Sequence, residues 1–555
     1  MRISPFKLAL VFAAPFALPA CSIAQTNAQA NVVNTSPSHV DELVVSRSVY
    51  QGTASTVTIG ETLPLGCQGG LTGLTVDVPN TSGGTDAIAV PCGVASDNGE
   101  YPNLLDNHNV WNNAGSDGSF GVTSPIFLDY LTPDGVAIGT HAIPTDRIVT
   151  SFSSKSELAL NRSVDGHSVT FMGYVGGVGC GATKISHTRP NLLDVSASNT
   201  PGVCDPTNPV ISTFVSDPVV PSAFYRAVAE VDVLGHVYIT DGNAYSGDNG
   251  RAAIKGENGL YYMVGNDNSG NLGKKQMLTT YDGIDLVNST GVEMLKAHQQ
   301  PALPPDIAMI GRLLFAGDKP GKDTNFRGLT IFNNTLYVSK GSGGNGINTV
   351  YQVGKAGTMP TGSAAELETV PITILPGFPN TAASTGTSFP FGMFFADANT
   401  LYVCDEGDGT LVTPAVNGNV ADAQSQATAG LQKYRLINGT WVLQYILQDG
   451  LDIGIPYSIT QYPSSLNPAT GGCRNIAGYV NRDGTATIFA ITSTISPNGD
   501  TGADPNKLVK VTDLISATTL PTSGSGWGQF TTIKSANAGE VLRGVALAPT
   551  DYTGK

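Results

Sequence analysis

The sequence contains few charged residues, and the basic ones are the scarcer kind. Only 13% of its 555 residues are charged, with 29 Lys and Arg against 44 Asp and Glu, so the formal net charge is −15. Non-specific binding to nucleic acid or to anionic lipid requires a basic surface. We therefore expect no nucleic-acid partner.

Long amphipathic helices rich in Ala, Glu, Lys and Leu are nearly absent. The chain instead contains 66 glycines and 34 prolines together with many Thr, Ser, Val and Asn residues. Its 41% of hydrophobic residues is ordinary for a globular protein and is sufficient for a large core. This composition predicts an all-β fold.

The common catalytic and cofactor motifs are missing. The sequence has no G-x-S-x-G elbow, no H-E-x-x-H, no P-loop and no G-x-G-x-x-G after a strand. It also lacks C-x-x-C and C-x-x-C-H. We therefore expect no nucleotide and no haem, and the motifs leave open whether the protein is an enzyme.

The first thirty residues have the pattern of a signal peptide. Arg2 and Lys7 precede the apolar run Leu8–Ala20, which is too short to span a bilayer. Two processing routes stay open. "LPAC", ending at Cys21, resembles a lipobox, whereas 22–24 or 28–30 would suit ordinary signal peptidase. We predict an exported protein, either periplasmic, anchored to the outer membrane or extracellular, with membrane contact only through a lipid on Cys21.

Six cysteines remain beyond Cys21, and an even number in an exported chain favours disulfides. Six cysteines allow 15 pairing schemes; local closure favours two of the bridges, and the third pair is then the remainder. The expected pairs are Cys67–Cys92, Cys180–Cys204 and Cys404–Cys473.

A strand–turn–strand unit recurs along the chain. Its copies begin near Ser153, Gly250, Phe326, Phe389, Cys473 and Leu542. The turns "VDG", "ENG", "FNN", "DAN" and "RDG" are typical of tight hairpins. Weaker strand candidates follow most pairs, which gives four strands per unit. Repeated four-stranded sheets that cannot cover their own faces stack radially, so the pattern predicts a β-propeller.

The last unit is incomplete, and strands 42–50 and 55–60 near the N-terminus have no partners nearby. We predict that the two ends share one blade and so close the ring. A degenerate unit at 120–144 brings the favoured count to seven blades, with six and eight left open. The predicted organisation is a signal peptide at 1–30, a flexible linker at 31–41 and one propeller domain with long loop insertions at 42–555.

Basic residues recur at or just before the first strand of these units. They are Lys155, Arg251, Arg327, Arg474 and Arg543. Resemblance to known propellers implies that this strand lines the central channel, which would bring the five cations to one mouth. Phe391 takes the corresponding place in the fifth unit. Two interpretations stay open. Nearby acidic residues such as Glu540 pair with them, or they bind an anion such as carboxylate, phosphate or sulfate.

Two loop types suggest further sites. Asp405, Glu406 and Asp408 lie in "CDEGDGT", and Asp500 and Asp504 lie in "SPNGDTGADPN". Oxygen ligands on such glycine-rich turns can hold Ca²⁺, although Asp and Asn are also common turn residues. His108 and Trp111 in "DNHNVWNNAGSDG" combine aromatic and amide groups suited to a sugar or another polar ligand.

"ANTLYVCDEGDG" and "NNTLYVSKGSGGNG" resemble the blade unit of NHL-type and gluconolactonase-type propellers, and the whole chain resembles exported bacterial propellers. Phytase-like propellers are a further similarity at the level of the fold. The resemblance implies a propeller and does not supply catalytic residues.

Three functions are compatible with these observations. The first is an exported propeller that binds a small anionic ligand or partner at the channel mouth. The second is a calcium-dependent hydrolase or lyase acting on an ester, phosphate, lactone or acidic sugar. The third is a cell-surface scaffold for protein interaction.

Overall fold

The protein is described here by a computed structural model. It describes residues 42–50, 62–63, 71–79, 85–91, 93–96, 112–113, 123–145, 147–152, 154, 157–175, 226–242, 250–265, 292–298, 311–312, 325–341, 346–361, 370–382, 388–409, 427–462, 464–496, 501–522 and 524–551. Within these ranges no helix is long and apolar enough to cross a membrane.

The chain folds into an all-β propeller, as the sequence predicts, and the propeller has six blades. We number the blades around the ring and give their strands from the innermost outward. Blade 1 is Glu540–Leu547, Leu43–Val49, Ile126–Leu131 and Ala137–Ala142. Blade 2 is Asn161–Arg162, Ser168–Val175, Arg226–Asp232 and Val237–Gly242. Blade 3 is Gly250–Lys255, Leu260–Gly265, Val292–Lys296 and Gly311–Arg312.

The other three blades follow the sequence without interruption. Blade 4 is Phe326–Phe332, Thr335–Lys340, Thr349–Val353 and Ile372–Ile374. Blade 5 is Pro390–Asp397, Thr400–Asp405, Gly430–Ile437 and Thr440–Leu447. Blade 6 is Ala469–Val480, Thr485–Ile495, Lys507–Leu514 and Thr531–Ser535.

Short elements complete the described secondary structure. Ile148–Ser151 pairs with the end of the second strand of blade 2 and with Thr123–Ser124. Leu71–Pro79 pairs with Thr85–Pro91, and Gly93–Ser96 pairs with both Thr62–Leu63 and Asn112–Asn113. The 3₁₀ turns are Ser464–Leu466 and Thr501–Ala503.

The two ends of the described chain share blade 1, as predicted for 42–50; the other predicted strand, 55–60, lies outside the described residues. Leu43–Val49 pairs antiparallel with Glu540–Leu547 on one side and with Ile126–Leu131 on the other. The unit at 120–144, counted as a seventh blade in the sequence, supplies the two outer strands of this shared blade. The ring therefore has six blades, one of the counts left open.

Apolar side chains fill every junction between neighbouring blades. Adjacent residues of one strand point to opposite faces, so Val44 packs between blades 1 and 2 while Val45 packs between blades 1 and 6. Further clusters join blades 2 and 3, 3 and 4, 4 and 5, and 5 and 6. Together these six clusters close the ring.

Candidate functional site at the channel mouth

The channel mouth is the end of the central axis at which the innermost strands begin. Arg251, Arg327, Arg474 and Arg543 lie in the innermost strands of blades 3, 4, 6 and 1. Each is buried, with 4–7% of its surface exposed. The other predicted ligand-binding residues, Lys155, His108 and Trp111, lie outside the described residues.

The arginine is followed by glycine in blades 1 and 4, and close packing between neighbouring blades requires this glycine. A Cβ at Gly328 would lie 2.1 Å from the carbonyl oxygen of Phe391 in blade 5. A Cβ at Gly544 would likewise lie 2.4 Å from the amide nitrogen of Leu160 in blade 2. Glycine therefore allows innermost strands of neighbouring blades to approach each other closely.

Blade 6 has Asn475 at this position instead of glycine. Its Oδ1 accepts a 2.6 Å hydrogen bond from the amide of Val545, and its Nδ2 donates to the carbonyl oxygen of Leu160. The asparagine thus joins the innermost strands of blades 6, 1 and 2 by side-chain hydrogen bonds.

Two arginines meet at one carboxylate, that of Glu406. Nε of Arg474 donates to Oε2 of Glu406 at 2.9 Å, and Nη2 of Arg327 lies 3.9 Å from Oε1. Glu406 follows the second strand of blade 5, the blade in which Phe391 replaces the arginine. Phe391 packs into the core between blades 3 and 4. A carboxylate between two guanidinium groups therefore occupies the break in the arginine series.

Arg543 is held by main-chain oxygen atoms. Its Nη1 and Nη2 donate to the carbonyl oxygens of Ser154 and Phe152, and its Nε donates to Oγ of Ser48. Glu540, expected from the sequence as an arginine partner at the mouth, instead accepts a 2.7 Å hydrogen bond from Arg47. These two residues lie in neighbouring strands of blade 1, where Arg47 also binds Asp129.

Asp405 is a fully buried carboxylate, and the residue after it, Glu406, forms the ion pair with Arg474. It accepts hydrogen bonds from the amide of Gly407, Oγ of Ser388 and Nε2 of Gln432, at 2.8–2.9 Å. Burial raises the pKa of Asp405 to about 7, against the opposing effect of these donors. Its charge therefore changes near neutral pH.

A disulfide links the two segments that carry Glu406 and Arg474. Cys404 in the second strand of blade 5 bonds to Cys473 in the innermost strand of blade 6, as predicted. Asp405 and Glu406 directly follow the first cysteine, and Arg474 directly follows the second. The crosslink thus holds Glu406 next to Arg474. Cys67, Cys92, Cys180 and Cys204 lie outside the described residues.

Of the predicted calcium ligands, Asp405, Glu406, Asp408 and Asp504 are among the described residues. Oδ1 of Asp504 accepts a hydrogen bond from the hydroxyl of Tyr462, while Asp405 is bound as above. Asp500 lies outside the described residues. Among the side chains that are described, no group of three or more His, Cys, Asp or Glu residues is placed to hold a metal ion. Calcium binding stays a prediction.

No protein-family model matches the chain, and no curated protein matches it in sequence. Among solved structures, the NanB sialidase from Streptococcus pneumoniae is 11% identical, with a TM-score of 0.26, and the match covers 89% of this chain and 88% of that one. A variant apocarotenoid oxygenase from Synechocystis is 9% identical, with a TM-score of 0.22, and covers 86% of this chain and 65% of that one. Likenesses this weak carry no functional argument. The chain is a six-bladed β-propeller. Its resemblance to the NHL-type and gluconolactonase-type propellers in particular stays a prediction.

Proposed function

We propose that the protein is an exported β-propeller that binds a small anionic ligand at the channel mouth. The observation that carries this proposal is the convergence of Arg327 and Arg474, from blades 4 and 6, on the single carboxylate of Glu406. A ligand carboxylate or phosphate offers acceptor oxygens of the same kind, which suit the arginine fork.

The burial of the mouth limits the ways in which an anion can bind there. Both arginine side chains are less than a tenth exposed, and that of Glu406 is 11% exposed. Taking charges out of water is costly, so a buried ion pair that loses one partner leaves an expensive uncompensated charge. An incoming anion must therefore either displace Glu406 or join it between the guanidinium groups.

The proposed export is supported by the crosslink at the same place. Disulfides persist in oxidising compartments and are rare in the cytosol. The buried Cys404–Cys473 bond agrees with the signal-peptide pattern at the N-terminus.

Opposite changes at the mouth provide the test. The melting temperature is measured with and without citrate or pyrophosphate for the wild type, Arg474→Gln and Glu406→Gln. Loss of a charge-assisted hydrogen bond, worth about 1.5–3 kcal/mol, predicts roughly ten- to hundred-fold weaker binding by Arg474→Gln. Glu406→Gln removes the competing carboxylate, so its ligand-induced shift should exceed that of the wild type.

Arg47→Gln is the matched control, because Arg47 is also a largely buried arginine that binds two carboxylates, Asp129 and Glu540. It should respond to the anions like the wild type. If Glu406→Gln does not fold, Glu406→Asp, which draws the carboxylate back, should show the same direction. Equal shifts in the wild type and the mouth variants would refute the proposal.

A further inference from the structure

A second site lies away from the channel, on the outer side of blades 5 and 6. A cleft of about 900 Å³ opens between the end of the outermost strand of blade 5 and the loop that follows the third strand of blade 6. Its lining includes Gln448, Asp449, Thr512, Trp527 and Gln529. Its volume lies within the range of small-molecule sites, about 300–1,000 Å³.

Trp527 forms a fixed aromatic surface in this cleft. Trp527 is partly buried, packs against the core between blades 5 and 6, and also lines the cleft. Because the side chain packs against the core, little of its freedom remains to be lost when a ligand stacks on it.

The loop that carries Trp527 is built on glycines. Gly526 and Gly528, on either side of the tryptophan, have φ angles of +78° and +87°. A Cβ at Gly528 would lie 2.2 Å from Cγ of Pro521, so only glycine fits this position. The amide of Gly528 donates to the carbonyl oxygen of Thr512 at 2.7 Å, which fixes the loop on blade 6.

The opposite wall is joined to this loop through the main chain. The amide of Phe530 donates to the carbonyl oxygen of Asp449 at 2.8 Å, and a Cβ at Gly450 would lie 2.2 Å from the carbonyl oxygen of Phe530. The two walls therefore hold a set spacing, and the site is preorganised.

The polar groups in the cleft favour a neutral ligand rich in hydroxyl groups. The exposed Asp449 and Gln529 supply a carboxylate and an amide, which together accept and donate hydrogen bonds. Lys510 also lines the cleft, but its ammonium group is paired with Asp134 of blade 1 at 2.6 Å. An anionic ligand would therefore meet a carboxylate and a lysine that is already neutralised.

We propose that this cleft binds a neutral saccharide. The apolar face of one sugar ring lies on the indole of Trp527, and its hydroxyl groups bond to Asp449 and Gln529. This site is separate from the channel mouth in position, ligand charge and blade surface, so either proposal can fail without the other.

The test uses the purified full-length chain against an array of neutral oligosaccharides of glucose, mannose, galactose, xylose and N-acetylglucosamine. Binding is then titrated for the best hits by tryptophan emission and calorimetry. Trp527→Ala should weaken binding at least about ten-fold, since loss of a stacked aromatic pair and its buried area costs more than about 1.4 kcal/mol. Trp527→Phe should retain part of the affinity, and Asp449→Asn should weaken it.

Trp441→Phe is the matched control, because Trp441 is 6% exposed and belongs to the core between blades 4 and 5. This variant and Arg474→Gln should bind the saccharide like the wild type. If Trp527→Ala does not fold, Asp449→Asn and Gln529→Ala, both at exposed positions, decide the matter. An array without hits, unchanged binding by the cleft variants, or equal loss in Arg474→Gln would overturn the proposal.

Discussion

Removing the Cys404–Cys473 disulfide should destabilise the propeller by about 4 kcal/mol. The bond closes a loop with a sequence separation of 69 residues. The loop-entropy relation for such a length gives about 4.4 kcal/mol at 25 °C, because the crosslink restricts the unfolded chain. Both cysteines are fully buried, so replacement by alanine also removes some sulfur packing. The double variant Cys404→Ala/Cys473→Ala tests this.

The assay is urea unfolding of the oxidised wild type and the double variant. Trp441 and Trp527 lie in blades 5 and 6, the two blades that the bond joins, so tryptophan emission reports on the affected region. The other four cysteines are left unchanged in both proteins. A loss below about 1 kcal/mol would refute the reasoning that this crosslink acts mainly on the unfolded chain.

Three further changes test the core and the mouth. Lys433→Met should cost about 3–5 kcal/mol in urea unfolding, because it leaves the fully buried Asp513 without its ammonium partner, and Lys433→Met/Asp513→Leu should recover most of this loss. The folded pKa of Asp405, about 7, lies above its ordinary 3.8, so the folded state binds the proton more tightly. Unfolding free energy should therefore fall from about pH 4 to about pH 7, by at most about 4 kcal/mol in total, and Asp405→Asn should flatten that slope. Gly328→Ala should lower the melting temperature, since its Cβ would overlap the carbonyl oxygen of Phe391 and overpacking costs about 1–3 kcal/mol.

The repeated hairpins made the fold predictable, and the pairing of the two chain ends followed from strands that lacked neighbours. The blade count was harder to obtain. Residues 126–142 have the turn and the strands of an ordinary hairpin, and only the pairing of Leu43–Val49 with Ile126–Leu131 shows that they belong to a shared blade. Local pattern does not carry this information, because the pairing depends on long-range contacts.

The arginines at the mouth were predictable because each occupies the same position in its repeat. The partner of Arg474 was not, since Glu406 lies 68 residues away and reaches it only after two blades have packed. The sequence instead suggested Glu406 as a calcium ligand, from the acidic turn in which it lies. The cleft around Trp527 was missed altogether, although "SGSGWGQ", with a lone aromatic residue among alternating glycines, was the available signal.

Blade 1 has a consequence for the order of events during synthesis. Its innermost strand, Glu540–Leu547, follows every other described strand along the polypeptide. Until this strand has been synthesised, five blades can only form an open arc. The apolar side chains of blades 2 and 6 that the strand covers then remain exposed to water. A polypeptide cut short by a few dozen residues would therefore keep these apolar surfaces exposed, and exposed apolar surface favours aggregation.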